Sequence, residues 1–185
     1  MLELSDGMIL YHGSYCEIQK PDLAKCAPHK DFGQGFYLTS SKKQAENFVG
    51  IAMKKAAAQN LINSKQSFGY VSSFVYHASG DIRQYCYPEA DADWLHCVVA
   101  HRKAGTFPDI IREMNDYDII SGKIADDATN FTITAYITGA YGTVGTKEAD
   151  NLCIGLLIPE RLQNQHCFRT ERSLESLEFI GSERV

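Results

Sequence analysis

Two stretches of this chain carry residue types suited to binding or catalysis. The first is Tyr11-His12-Gly13-Ser14, at the end of an apolar run. The second is Asp31-Phe32-Gly33-Gln34-Gly35-Phe36-Tyr37-Leu38-Thr39-Ser40. Two glycines flanking one residue suit a backbone that approaches a ligand closely or takes a positive φ. The aromatic and aliphatic residues that follow read as a strand presenting Tyr37 into a cleft. Taken singly, the same residues also fit a plain hairpin or bulge.

Other chemistries lack their signatures. The six histidines include no H-E-x-x-H, and His96 and His101, with Cys97 beside them, are five positions apart and off a common helical face. No metal site is expected. A serine hydrolase would need G-x-S-x-G, and a nucleotide triphosphatase a Walker A loop; neither occurs. Gly33-Gln34-Gly35 lacks the third glycine of a dinucleotide fingerprint. Cys97 and Cys167 each follow a histidine, which leaves a cysteine nucleophile open, although sequence neighbours on a strand or helix point apart.

The elements that position these residues follow from periodicity. Residues 7–13 read as a buried strand and residues 15–30 as a loop with room for one short strand. From Ser41 to about Gln59 the pattern is helical, with Ala45, Phe48, Val49, Ala52, Met53 and Ala56 on one face and Ser40 or Ser41 as cap. Strands are expected over 68–76 and 82–87, and a helix capped by Asp91 through Trp94, Leu95, Val98 and Val99. Residues 116–122 read as a strand, 130–141 and 148–157 as helices, 165–170 as a late strand, 171–176 as a polar helical turn and 177–180 as a terminal strand. Strands interrupted irregularly by helices predict an α+β fold in one domain, residues 1–185.

A chain of 185 residues with 44% hydrophobic and 22% charged residues buries a core without staples. Its net charge of −5 argues against a surface devoted to nucleic-acid phosphates. No apolar run reaches the roughly 20 residues of a membrane span, and residues 1–6 do not read as a signal peptide. A cytoplasmic location with free thiols is expected for the six cysteines, none paired at C-x-x-C spacing.

Together, in this order, His12-Gly13-Ser14 and Phe32-Gly33-Gln34-Gly35-Phe36-Tyr37 resemble the NAD-binding core of the ADP-ribosyltransferase superfamily. The likeness is to the branch of poly(ADP-ribose) polymerases and diphtheria-type toxins. It covers residues 8–49, and a weaker motif lies near residue 165. The whole chain also looks like a bacterial domain family of unknown function within that superfamily. The resemblance implies a split, mainly antiparallel sheet with flanking helices around an NAD cleft. It implies that NAD is the co-substrate and that ADP-ribose passes to an acceptor with release of nicotinamide.

By that resemblance, His12 bonds a ribose hydroxyl and the Gly13 backbone grips the nicotinamide carboxamide. Ser14 adds a hydrogen bond, and Tyr37 and Phe48 sandwich the cationic ring. Gly35 and Asp31 border the same NAD-contacting set. The family's catalytic glutamate falls on Gln165 within Leu162-Gln163-Asn164-Gln165-His166-Cys167-Phe168. Glutamine bonds a ribose hydroxyl but neither carries negative charge nor accepts a proton. Chain elongation is therefore not expected, whereas transfer of one ADP-ribose is. The acceptor is left open among protein, nucleic acid and small molecule. Asp31, Asp126, Asp127 and Glu171 are the candidate supporting carboxylates. NAD hydrolysis and a catalytically silent NAD- or ADP-ribose-binding module are the alternatives. A toxin, effector or defence role, with an antitoxin or immunity partner, is a further implication of the resemblance.

Overall fold

The apolar run before His12 forms strand β1 (Ile9–Ser14), and the segment behind the glycines forms β2 (Phe36–Leu38). The computed structural model describes residues 3–63, 65–125 and 127–185, with Asp127 and Ala128 described by backbone alone. Residues 15–30 hold a 3-10 turn at Leu23–Lys25 and no strand. Ser41 caps α1 (Lys42–Ala58) by accepting from the Gln44 N–H. Gln44 in turn accepts from the Thr39 hydroxyl and donates to the Asn164 carbonyl, tying the helix start to the sheet beneath.

Strands β3 (Tyr70–Tyr76) and β4 (Gln84–Cys86) follow, then α2 (Ala92–Arg102), whose Asp91 cap accepts from the Trp94 N–H at 3.0 Å. Helix α3 (Pro108–Met114) has no counterpart in the sequence-based expectation. Its start carries no side-chain cap; Phe107 in the left-handed region turns the chain into Pro108 instead. Next come β5 (Ile119–Lys123), α4 (Asp127–Ile137), α5 (Lys147–Leu157), β6 (Asn164–Phe168), α6 (Glu171–Leu174) and β7 (Leu177–Arg184). Helix α4 lies about one turn earlier than expected, and β7 runs four residues further.

These elements make an α+β fold with two sheets. One has the order β1-β3-β7, antiparallel throughout; the other has the order β2-β6-β5-β4, antiparallel except for the β4–β5 pair. Among the described residues, one isolated antiparallel bridge, Tyr11 with Thr39, joins the sheets between β1 and the end of β2. Alternation along the strands then builds two cores. Phe36, Leu38, Ile119 and Phe168 face Leu10, Phe74 and Tyr76 of the other sheet. Ile120 and Cys167, one residue out of phase, pack with Phe32 under Trp94, Leu95 and Val98 of α2 and Cys153 of α5. Strands β5 and β6 are thus buried on both faces, which is why their sequences show no clean alternation. Helix α1 covers the outer face of the first sheet, with Ala45 and Val49 against Val71. Among the described residues, no helix is long and apolar enough to cross a membrane.

Asp118 locks the entry to β5. Its carboxylate accepts from the Arg83 N–H at 2.9 Å, the Thr170 hydroxyl at 2.7 Å and Arg172 at 2.6 Å. Burial alone would raise this carboxyl, but the three donors and the Arg172 charge together hold it below the ordinary carboxylate value. A depressed folded-state pKa stabilises above the unfolded value of about 3.9 and is lost as pH falls through the folded one. Asp118→Asn is therefore expected to lose most stability against wild type at neutral pH. The gap should narrow on acidification, as read by urea unfolding across pH.

Candidate functional site

The bridge between the sheets places His12 against β2. The His12 ring nitrogen Nδ1 lies 2.8 Å from the Tyr37 carbonyl oxygen, and the ring packs tilted on Phe36 with centroids 4.4 Å apart. A carbonyl only accepts, so Nδ1 carries the proton and Nε2 is left as an acceptor. Burial lowers the pKa of His12 despite the bond to Tyr37, so the ring stays neutral at neutral pH. Nε2 has no partner among the described residues.

Tyr37 is held at its tip. Its hydroxyl donates to the Gly33 carbonyl at 2.8 Å and accepts from the Phe32 N–H at 2.9 Å. Burial, with the nearby Cys167 and Asp31, pushes its pKa well above the ordinary phenol value. The hydroxyl is therefore a brace for the glycine turn rather than an acid. Tyr37 stays half-buried between two buried neighbours, with its side chain packed against the core under α2.

Register brings Gln165 to the same face. Tyr37 pairs with Cys167, and Gln165 lies two residues from Cys167 on β6. Tyr37 and Gln165 are thus diagonal neighbours, about 7–8 Å apart at Cα. Gln165 is buried, and its Nε2 donates to Asp31 Oδ2 at 2.7 Å and to the Lys123 carbonyl at 3.3 Å. Asp31 is a buried hub. Its Oδ1 accepts from Arg102 Nε at 3.0 Å and Nη2 at 2.5 Å, and its Oδ2 also accepts from the Ala125 N–H at 2.9 Å. Arg102 and the Ala125 N–H have no marker in the sequence. The signal that points to them is Asp31 itself, since a buried carboxylate must find a cation and donors.

The glycines have structural reasons of their own. A Cβ on Gly13 would lie 2.1 Å from the Ala45 carbonyl oxygen, so β1 and α1 touch backbone to backbone there. A Cβ on Gly35 would lie 2.5 Å from Cys167 Sγ and 2.7 Å from the Phe168 carbonyl oxygen. Close packing within the protein thus excludes a side chain at both positions. Ser14 is buried at the end of β1. Phe48 corrects the expected apolar face of α1: it is 38% exposed, while Ala45, Val49 and Ala56 are buried. Glu171 is exposed and opens α6, beyond the far end of β6 from Gln165. Asp126 and the Asp127 side chain lie outside the described residues.

The thiols next to histidines are inert. Burial pushes Cys97 and Cys167 up to about 12, which leaves no thiolate at neutral pH. His166 turns to the opposite face of β6 from Gln165, bonds Ser121 at 2.8 Å and is lowered to about 4 by burial. All six cysteines are free. Among the described residues, no group of three or more His, Cys, Asp or Glu is placed to hold a metal ion.

Two open depressions lie on the surface, and neither is lined by His12, Tyr37, Phe48 or Gln165. One, of about 400 Å³, is lined by His29, Gly33, Gln34 and His101 and backs onto the turn that Tyr37 braces. The other, of about 310 Å³, runs along α1 beside Val49, Gly50, Met53 and Gly69.

A comparison with curated proteins finds no match. The family described as protein of unknown function DUF3990 matches residues 8–179, a span running from β1 into β7 that takes in His12, Tyr37, Phe48 and Gln165. The chain belongs to the DUF3990 family.

Proposed function

We propose that the chain is an NAD-dependent mono-ADP-ribosyltransferase with an ADP-ribosyltransferase-like fold. The observation that carries this reading is that strand β2 links three residues far apart in sequence. His12 is bonded to the Tyr37 backbone, and Tyr37 and Gln165 share one face of one sheet. The split into β1-β3-β7 and β2-β6-β5-β4, joined by the bridge of Tyr11 with Thr39, supports the family's architecture.

Each group has a role that its geometry suits. The Nε2 of His12, neutral and unpartnered, accepts a hydrogen bond from a ribose hydroxyl of NAD. The half-buried ring of Tyr37, immobilised by its hydroxyl, offers a face to the cationic nicotinamide. Phe48, exposed on α1, supplies the second face. Gln165 Oε1 accepts from a ribose hydroxyl as the glycosidic bond to nicotinamide breaks and positive charge develops on the ribose. With no carboxylate at position 165, the acceptor must bring its own nucleophilicity, which favours transfer of one unit over chain growth.

Incubation with NAD labelled in the ADP-ribose moiety tests the assignment. Label on a macromolecule supports transfer, free ADP-ribose supports hydrolysis, and binding without nicotinamide release supports a silent module. His12→Ala and Tyr37→Ala are each expected to lower nicotinamide release by about a hundredfold. Wild-type release in both variants would remove the NAD site from this face.

A further inference from the structure

We propose that Asp31 is a positioning residue for Gln165: it orients the amide so that Oε1, and not Nε2, is the atom left for a ligand. The proposal rests on the reading of this face as an NAD site.

The orientation follows from donors and acceptors. Gln165 Nε2 lies 2.7 Å from Asp31 Oδ2 and 3.3 Å from the Lys123 carbonyl oxygen. An ionised carboxylate and a carbonyl only accept, so both must be met by N–H groups. The reversed amide would set oxygen against oxygen at both contacts. Asp31 cannot turn away, because Arg102 and the Ala125 N–H hold it from other sides. Gln165 thus offers a ligand the same acceptor atom that a carboxylate would. The negative charge sits on Asp31, hydrogen-bonded to the amide nitrogen and offset by Arg102.

The same geometry accounts for glutamine at this position. A glutamate at 165 would set two carboxylates at hydrogen-bond distance, where one proton must be shared. Other titratable groups within electrostatic reach of Asp31 are His101 and Cys97 from α2, Tyr37 from β2 and Cys167 from β6. Burial lowers His101 and raises the other three, so all four are neutral at neutral pH, and Arg102 is the charged partner.

Three variants test the pair, read by steady-state nicotinamide release and by melting midpoint across pH. Asp31→Asn keeps the shape, but with its oxygen held by Arg102 it turns an N–H toward Gln165 Nε2 and the Ala125 N–H, so donor meets donor and the Gln165 amide is no longer held with Oε1 outward. It is expected to lower kcat by about tenfold or more, with KM for NAD changed less than about threefold. Adding Gln165→Glu to Asp31→Asn restores an acceptor facing that N–H and should recover at least about threefold of the loss. Gln165→Glu alone places a carboxyl of raised pKa in the folded state. Its midpoint and turnover should fall away from wild type as pH rises through that pKa.

Wild-type kcat in Asp31→Asn, or no recovery in the double variant, would overturn the positioning role. A midpoint difference between Gln165→Glu and wild type that stays constant with pH would overturn it too. If wild type neither binds NAD nor releases nicotinamide, it is the NAD reading that fails. The pH dependence of the Gln165→Glu midpoint then still decides whether Asp31 faces position 165 as a carboxylate.

Discussion

Arg102→Ala should lower the unfolding free energy by about 3 kcal/mol, because it strands the Asp31 carboxylate in a buried site. The Arg102 and Asp31 side chains are 16% and 8% exposed, so water replaces little of the lost partner. The guanidinium also bonds the Ala125 carbonyl at 2.9 Å and Asn130 at 3.0 Å, linking α2, the end of β5 and α4. For a chain of 185 residues the loss corresponds to a melting midpoint about 10 °C lower. Arg102→Lys should recover part of it, since an ammonium restores the charge but not the planar fork that meets Oδ1 through two nitrogens. A change of less than about 1 °C in Arg102→Ala, measured by calorimetry, would show that the network contributes no net stability.

Gly13→Ala is expected to cost about 2–3 kcal/mol, at the upper end of ordinary overpacking. The added methyl would lie 2.1 Å from the Ala45 carbonyl oxygen, 3.0 Å from its carbon and 3.3 Å from Val49 Cγ2. Backbone cannot rotate away as a side chain can, so α1 must lift from β1. The lift would carry Phe48 with it and strain the bonds from Gln44 to Thr39 and Asn164. If ligand approach alone required glycine at this position, the variant would lose NAD binding at unchanged stability. Denaturant unfolding in the absence of NAD separates the two: the structure calls for a lower midpoint before any ligand is added.

Much of the scaffold is legible in the sequence for identifiable reasons. Helices α1 and α2 announce themselves by a capping Ser41 and Asp91 and by long amphipathic or apolar runs. Helix α3 does not, since seven residues entered through a left-handed Phe107 carry neither a cap nor a full apolar face. Strands β5 and β6 each carry only a short apolar pair, Ile119-Ile120 and Cys167-Phe168, and burial on both faces hides which side chains look toward the site. Tyr37 and Gln165 are separated by most of the chain, and the β2–β6 register that makes them neighbours is a tertiary fact. The Asp31–Arg102–Gln165 network is less legible still. Its members lie 71 and 134 residues apart, and none stands in a motif with the others. The spacing of Phe48 fits the apolar stripe of α1, but its exposure shows that the buried stripe is narrower, confined to small residues and Val49.

The central claim is that His12, Tyr37 and Gln165 form one NAD site that releases nicotinamide. Chromatographic measurement of nicotinamide formed from NAD by wild type and by His12→Ala, both verified as folded by their melting midpoints, tests it most directly. Steady release by wild type and a loss of about a hundredfold in His12→Ala is the predicted result. Equal release by the two folded proteins, or none from wild type together with no NAD binding, would contradict it.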